Sequence, residues 1–200
     1  MTNNPAERQA ELESDDSLMA RIGRGDRNAF ETLYRRWSRR VMAYAYRSLS
    51  DRAESEDVVQ ETFLSVFRSA SRYRSRERFG AFLFRIAGNA VRSRWRKKRP
   101  LPVDCSAEEE KGDFFPSKMV EEEWSLFEER ERIGAALATL PEAQRNALLL
   151  AVIGGLSYRE IALQEGVSED AVAARICRAR KALRKALSEG GFEEEATTDE

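Results

Sequence analysis

Two hundred residues suffice for one medium domain or two small ones. A hydrophobic share of 42% supports a packed core, 34% charge and a mean hydropathy of −0.61 suit a chain at home in water, and no run approaches the roughly 18 apolar residues of a membrane helix. Histidine is absent, which removes the commonest general base and the commonest metal ligand and weakens any enzymatic reading.

The net charge of −1 conceals strong sorting along the chain. Residues 68–99 hold twelve basic side chains and one acid, Glu77, while residues 171–187 hold six basic side chains and no acid. The stretch 104–131 and the tail 193–200 are acidic instead. Cationic blocks alternating with acidic connectors suit a nucleic-acid binder, although solvated basic helix faces would also give such blocks. The two cysteines, Cys105 and Cys177, lie far apart without metal spacing, so free thiols in a reducing compartment are expected. The polar N-terminus reads as neither signal nor transit peptide, and the expected location is the cytoplasm.

Helical periodicity dominates the chain. Leu18, Met19 and Ile22 predict a short helix ending near Gly25, and Asp26 caps a long one whose stripe is Phe30, Leu33, Tyr34, Trp37, Val41, Tyr44 and Ala45. After a break at 48–51, a third helix is expected to bury Val59, Phe63, Val66 and Phe67. An arginine-rich loop, 69–78, leads to a helix from about Phe79 to Lys98 that packs Phe82, Leu83, Ile86, Ala90 and Val91 and stops at Pro100. Residues 101–124 read as an acidic linker. Helix returns around Glu121 through Leu126, Ile133, Leu137 and Leu140; Pro141 opens the next helix at its first turn, closing at Gly154 and Gly155. Ser157 caps Tyr158 to Gln164, Gly166 serves a turn needing positive φ, and Ser168 caps the last helix, to about Leu187. The fold class is all-α: two small helical domains, 15–100 and 125–188, joined by a flexible linker, with disordered ends at 1–14 and 189–200.

The most specific local pattern is a helix-turn-helix from Leu156 to Arg175, locked by Ile161, Ala162, Val167, Val172 and Ile176. Its second helix would turn Arg175, Arg178 and Lys181 to duplex DNA, with Arg184 and Lys185 further along; arginine both pairs with guanine and neutralises phosphate. In the N-terminal half, Arg85, Asn89, Arg92 and Arg96 follow at i, i+4, i+7 and i+11, turned from the apolar stripe. Tyr73 and Phe79 stand at the entrance of that helix. Basic groups interleaved with aromatics suit single-stranded or melted DNA, while closing the core is the competing role for each ring. The preceding helix carries Glu54, Asp57, Gln60 and Glu61 on a polar face, a docking surface for a basic partner; no third ligand joins Asp57 and Glu61 to make a metal site.

These residues together resemble the extracytoplasmic-function branch of the sigma-70 family. The stretch 56–67, EDVVQETFLSVF, resembles region 2.2; 79–89, FGAFLFRIAGN, resembles regions 2.3 and 2.4; and 140–187 resembles region 4. The resemblance implies a transcription initiation factor without catalytic residues, metal or cofactor. Asp57, Gln60 and Glu61 would dock on the clamp helices of the largest subunit of core RNA polymerase, and the C-terminal domain near its flap region. The loop residues Tyr73, Arg74, Arg76 and Phe79, with Arg85, Asn89, Arg92 and Arg96, would capture the −10 element. Ser168, Ala173, Ala174, Arg175, Arg178 and Lys181 would face the −35 element. Ala173 and Ala174 depart from the lysine or arginine then serine frequent in relatives, and Cys177 stands where an aromatic or histidine is common. An anti-sigma factor is an expected partner, and no membrane insertion is expected. The rival reading is a helix-turn-helix regulator that works without polymerase.

Overall fold

The computed structural model describes residues 13–74, 78–98 and 131–189, and every regular element among them is helical. The helices are α1 (Asp15–Ile22), α2 (Arg27–Leu49), α3 (Arg52–Ser69), α4 (Phe79–Lys98), α5 (131–138), α6 (Glu142–Val152), α7 (Tyr158–Glu165) and α8 (Glu169–Glu189), with a 3₁₀ turn at Ala70–Arg72. Arg76, Pro100, the linker 101–124, Cys105, the start of the helix expected from Glu121 through Leu126, and the tail lie outside the described residues.

Local chemistry sets the boundaries. The Ser14 hydroxyl caps α1 by accepting from the Ser17 amide at 3.2 Å. Asp26 caps α2, its Oδ1 accepting from the amides of Asn28 (2.9 Å) and Ala29 (3.2 Å); Asp51 does the same for α3 through the Glu54 amide at 2.9 Å. These side chains satisfy amide donors that the first turn of a helix leaves unpaired. Pro141 stands one position before α6 rather than inside its first turn, and its carbonyl accepts from the Gln144 and Arg145 amides. Ser157 and Glu160 form a reciprocal capping box on α7, and Gly166 ends that helix at φ +67°, where a side chain would be strained.

Aromatic packing holds α1–α4 together. Trp37 on α2 meets Phe79 and Phe84 of α4 edge-on, with centroids 5.7 and 6.3 Å apart, and Phe84 also meets Tyr44 at 5.5 Å. Such tilted arrangements suit the ring quadrupoles. Three expectations shift. Phe67, expected inside, is 49% exposed, because the packed face of α3 runs through Ser55, Val58, Val59, Thr62, Phe63 and Val66. It sits at the edge of that face with its ring 5.5 Å from Phe30, and Tyr34 is likewise a rim residue. Phe84, which the periodic stripe passed over, is fully buried.

In the C-terminal half, Ile161, Ala162, Val172 and Ile176 are buried between α7 and α8, and Val167 is partly so. Leu148, Leu149 and Leu150 of α6 join the same cluster. This apolar cluster runs on without interruption into that of α1–α4.

Candidate nucleic-acid interface

Because α4 has an aromatic side, its polar residues fall into two groups. Arg85, Asn89 and Arg96 are exposed, and the Arg85 guanidinium lies 5.7 Å above the Phe82 ring. Arg92 is half-buried; its Nη2 donates to Asn89 Oδ1 at 2.5 Å, and its buried Nη1 has no hydrogen-bond partner among the described residues. On the opposite side, Arg94 is only 14% exposed and binds Glu54 at 2.8 Å and Glu61 at 3.0 Å. Arg94 therefore serves packing of α3 on α4. Sequence reasoning missed it, although Glu54 and Glu61, seven apart, share one face of α3.

The entrance to α4 differs from the exposed aromatic platform that the sequence suggested. Phe79 is 3% exposed, wedged against Trp37 and Tyr73, so neither of its faces is available to a base. Tyr73 is half-buried, its hydroxyl donating to Asp16 Oδ1 at 2.7 Å and its ring packed on Phe82 at 5.0 Å. Arg74 is exposed. Asp57 and Gln60 project from α3 into solvent, whereas Glu61 already engages Arg94.

On α8, Ser168 caps the helix, its Oγ accepting from the Ala171 amide at 3.2 Å. Arg178, Lys181 and Arg184 are exposed; Ala173 and Ala174 are half-buried. Arg175 turns back instead, ion-paired with Glu165 of α7, whose side chain is nearly buried. Cys177 is a free, exposed thiol. The surface therefore offers one cationic column on α4, a second on α8, and an acidic and amide patch on α3.

Beside their shared apolar cluster, the two halves meet through polar contacts. Tyr44 on α2 donates its hydroxyl to Asn146 Oδ1 of α6 at 2.6 Å in a buried setting, and burial raises the Tyr44 hydroxyl far above its ordinary pKa. Arg78 forks onto Glu160 at 3.0 and 2.6 Å. That hydrogen-bonded guanidinium, with help from the Ser157 amide and hydroxyl, holds the Glu160 carboxyl down at about 2.

Comparison with known proteins fits this layout. Residues 33–100 match the family model Sigma-70 region 2, and residues 130–183 match Sigma-70, region 4. The chain is 34% identical over 184 residues to the RNA polymerase sigma-H factor of Pseudomonas aeruginosa, covering 88% of this chain and 94% of that one. The chain belongs to the sigma-70 family. The ECF RNA polymerase sigma-E factor of Haemophilus influenzae is 33% identical over 181 residues, covering 87% and 95% of the two chains. Among solved structures, CnrH in complex with the cytosolic domain of CnrY superposes with a TM-score of 0.66 at 27% identity, over 88% of this chain and 98% of that one.

This sigma factor is of the extracytoplasmic-function type, acting with core RNA polymerase in promoter-directed transcription initiation. The polymerase-independent regulator is not favoured, since a helix-turn-helix alone would leave the region 2 match without a purpose. No described helix is long and apolar enough to cross a membrane.

Proposed function

We propose that three separate surfaces divide the work of initiation. Asp57 and Gln60, with Glu61 beside them, grip the clamp helices of the polymerase. The α4 column of Arg85, Asn89, Arg92 and Arg96, approached through Tyr73, Arg74 and Arg76, captures the −10 strand, while buried Phe79 braces Tyr73. Arg178 and Lys181 read the −35 duplex, with Ser168, Ala173 and Ala174 approaching it at the start of α8 and Arg175 available once it leaves Glu165. The domains 15–100 and 125–188 thus act at two sites joined by the linker 101–124, the second also resting on the polymerase flap.

The observation that carries this reading is the placement of two exposed cationic columns and one exposed acidic patch on three different helices. Unstacking a few bases costs a few kcal/mol, which base stacking and phosphate contacts offset once polymerase is bound. The chain itself performs no covalent chemistry. It acts in the cytoplasm and is held in check by an anti-sigma factor; the capture of CnrH with the cytosolic domain of CnrY supports such a partner.

Transcription from a promoter library with core polymerase plus this chain tests the reading. Specific start sites that appear only when the chain is added are expected. Absence of any chain-dependent start overturns it.

A further inference from the structure

Helix α8 keeps an uncovered side. It packs on α6 and α7 through Val172, Ile176 and Ala179, all of them buried. Arg178, Arg180, Lys181 and Arg184 stand exposed, and among the described residues none of the four forms an ion pair. Residues 171–188 carry no acid that could neutralise them from within the helix. The result is a run of cations about 9 Å long, at 1.5 Å per helical residue, with no carboxylate opposite it among the described residues.

The chain supplies the missing charge directly after this helix. Residues 190–200 hold Glu193, Glu194, Glu195, Asp199 and Glu200 and no basic side chain. Gly190 and Gly191 come first, just past the last residue of α8, and glycine reverses a chain at little steric cost. Reach decides whether a reversal would matter. An extended chain advances about 3.3 Å per residue, more than twice the helical rise of about 1.5 Å. The steps from Phe192 to Thr197 can therefore run back about 16 Å, which is the rise of about eleven helical residues. That distance leads from the end of α8 to the level of Arg178.

We propose that the acidic segment 190–200 lies back along the exposed cationic face of α8 and competes there with the phosphates of duplex DNA. On this path Glu193, Glu194 and Glu195 meet Arg184, Lys181 and Arg180, and Asp199 passes beyond Arg178 toward the start of the helix. The segment is tethered beside its target, so its effective concentration is on the order of millimolar. Attachment to the end of α8 favours this helix over the cations of α4. Phosphate contacts supply affinity without sequence, and base contacts supply the choice. A competitor for the same cations weakens duplex binding by one factor whatever the sequence. It shortens the stay of the chain on arbitrary DNA and leaves selection to the base contacts. The inference rests on the assignment of α8 as the duplex-reading helix.

The test combines distance and affinity on the full chain. Spin labels go on native Cys177, an exposed thiol beside Arg178, and on Thr197→Cys, with Cys105→Ser removing the other thiol. Electron paramagnetic resonance at low salt is expected to show one narrow population within about 20 Å, given the reach of the segment. Glu193→Gln, Glu194→Gln, Glu195→Gln, Asp199→Asn and Glu200→Gln together are expected to give a longer, broad distribution. Salt near 1 M, with a screening length of about 3 Å, is expected to do the same to the wild type. The five substitutions touch no residue of the helical modules, so loss of fold does not explain the change. On a mixed-sequence duplex at about 50 mM salt the neutralised variant is expected to bind about tenfold tighter, with a steeper fall as salt rises. In a Lys181→Gln, Arg184→Gln background most of that gain is expected to vanish, whereas long-range repulsion by the acids would persist. A wild type already broad at low salt, or a neutralised variant with unchanged duplex affinity, overturns the proposal. A narrow population with no duplex binding by either form would sink α8 as the reading helix, and the competition with it, while the contact stood.

Discussion

Two basic helices with similar composition use their charge differently. On α4 the cations are partly committed inside the protein: Arg94 clamps Glu54 and Glu61, Arg92 lies in the junction cleft beside Asn89, and Arg85 covers the Phe82 ring. On α8 Arg175 turns back, to Glu165, while Arg178, Lys181 and Arg184 stand in solvent. The difference follows from how each helix is buried. Helix α4 packs on α2 and α3 and meets the C-terminal half through side chains such as Gln164, so that Arg94 finds carboxylates on a neighbouring helix. Helix α8 lies at the end of the helical order and packs on α6 and α7. A count of basic residues therefore says where a cationic surface is possible, and the packing says which cations remain for DNA.

Several substitutions press on this contrast. The largest effect is expected on the buried side of α4. Phe84→Ala removes a fully buried ring that touches Trp37 and Tyr44 and is expected to cost about 3–5 kcal/mol in denaturant unfolding. A loss under about 1 kcal/mol would mean that α4 is not the packed helix described. Arg178→Ala is expected to leave stability within about 0.5 kcal/mol while weakening duplex binding and lowering the salt-dependence slope by about one phosphate contact. An unchanged salt slope would take Arg178 out of the DNA face. Arg94→Ala is the mirror case, expected to lower stability by about 1 kcal/mol, since its partners are partly solvated, with little change in DNA affinity.

The smallest expected effect concerns pH at the junction. The carboxyl of Glu160 is held at about 2, below its ordinary 4.5, by Arg78 facing it from the start of α4 and by Ser157 on its own helix. A depressed carboxylate stabilises the packed junction fully above 4.5 and loses that contribution as pH falls toward 2. Stability to denaturant should fall over that window in the wild type. The Glu160→Gln variant should show a smaller fall, since Glu13 and Asp26 are also held low; an identical fall in both would assign it to other carboxylates.

Much of this fold is legible in the sequence because its boundaries are set locally. Asp26, Ser157, Gly166 and Ser168 announce helix ends by chemistry that acts within three or four residues. Helix faces are less secure. In the run 79–87, apolar residues surround the helix, because α4 is buried on more than one side, and the stripe rule passes over Phe84. The chemistry of the site was legible as residue type, with cations on α4 and α8 and acids on α3. Its pairing was not. Arg94 with Glu54, Arg78 with Glu160 and Tyr44 with Asn146 join residues far apart in the chain, and nothing within one helix signals them. Phe79 shows the same limit: an aromatic beside arginines reads as a base platform until the ring is found buried against Trp37.

The division of labour itself is tested most directly by titrating the chain and its Asp57→Lys variant against catalytic core polymerase and, separately, against single-stranded DNA. The account predicts that the wild type binds the core, and that charge reversal at exposed Asp57 weakens that complex at least about tenfold, or about 1.4 kcal/mol, while DNA affinity does not fall. A wild type that ignores the core, or a variant that loses both affinities together, would contradict it.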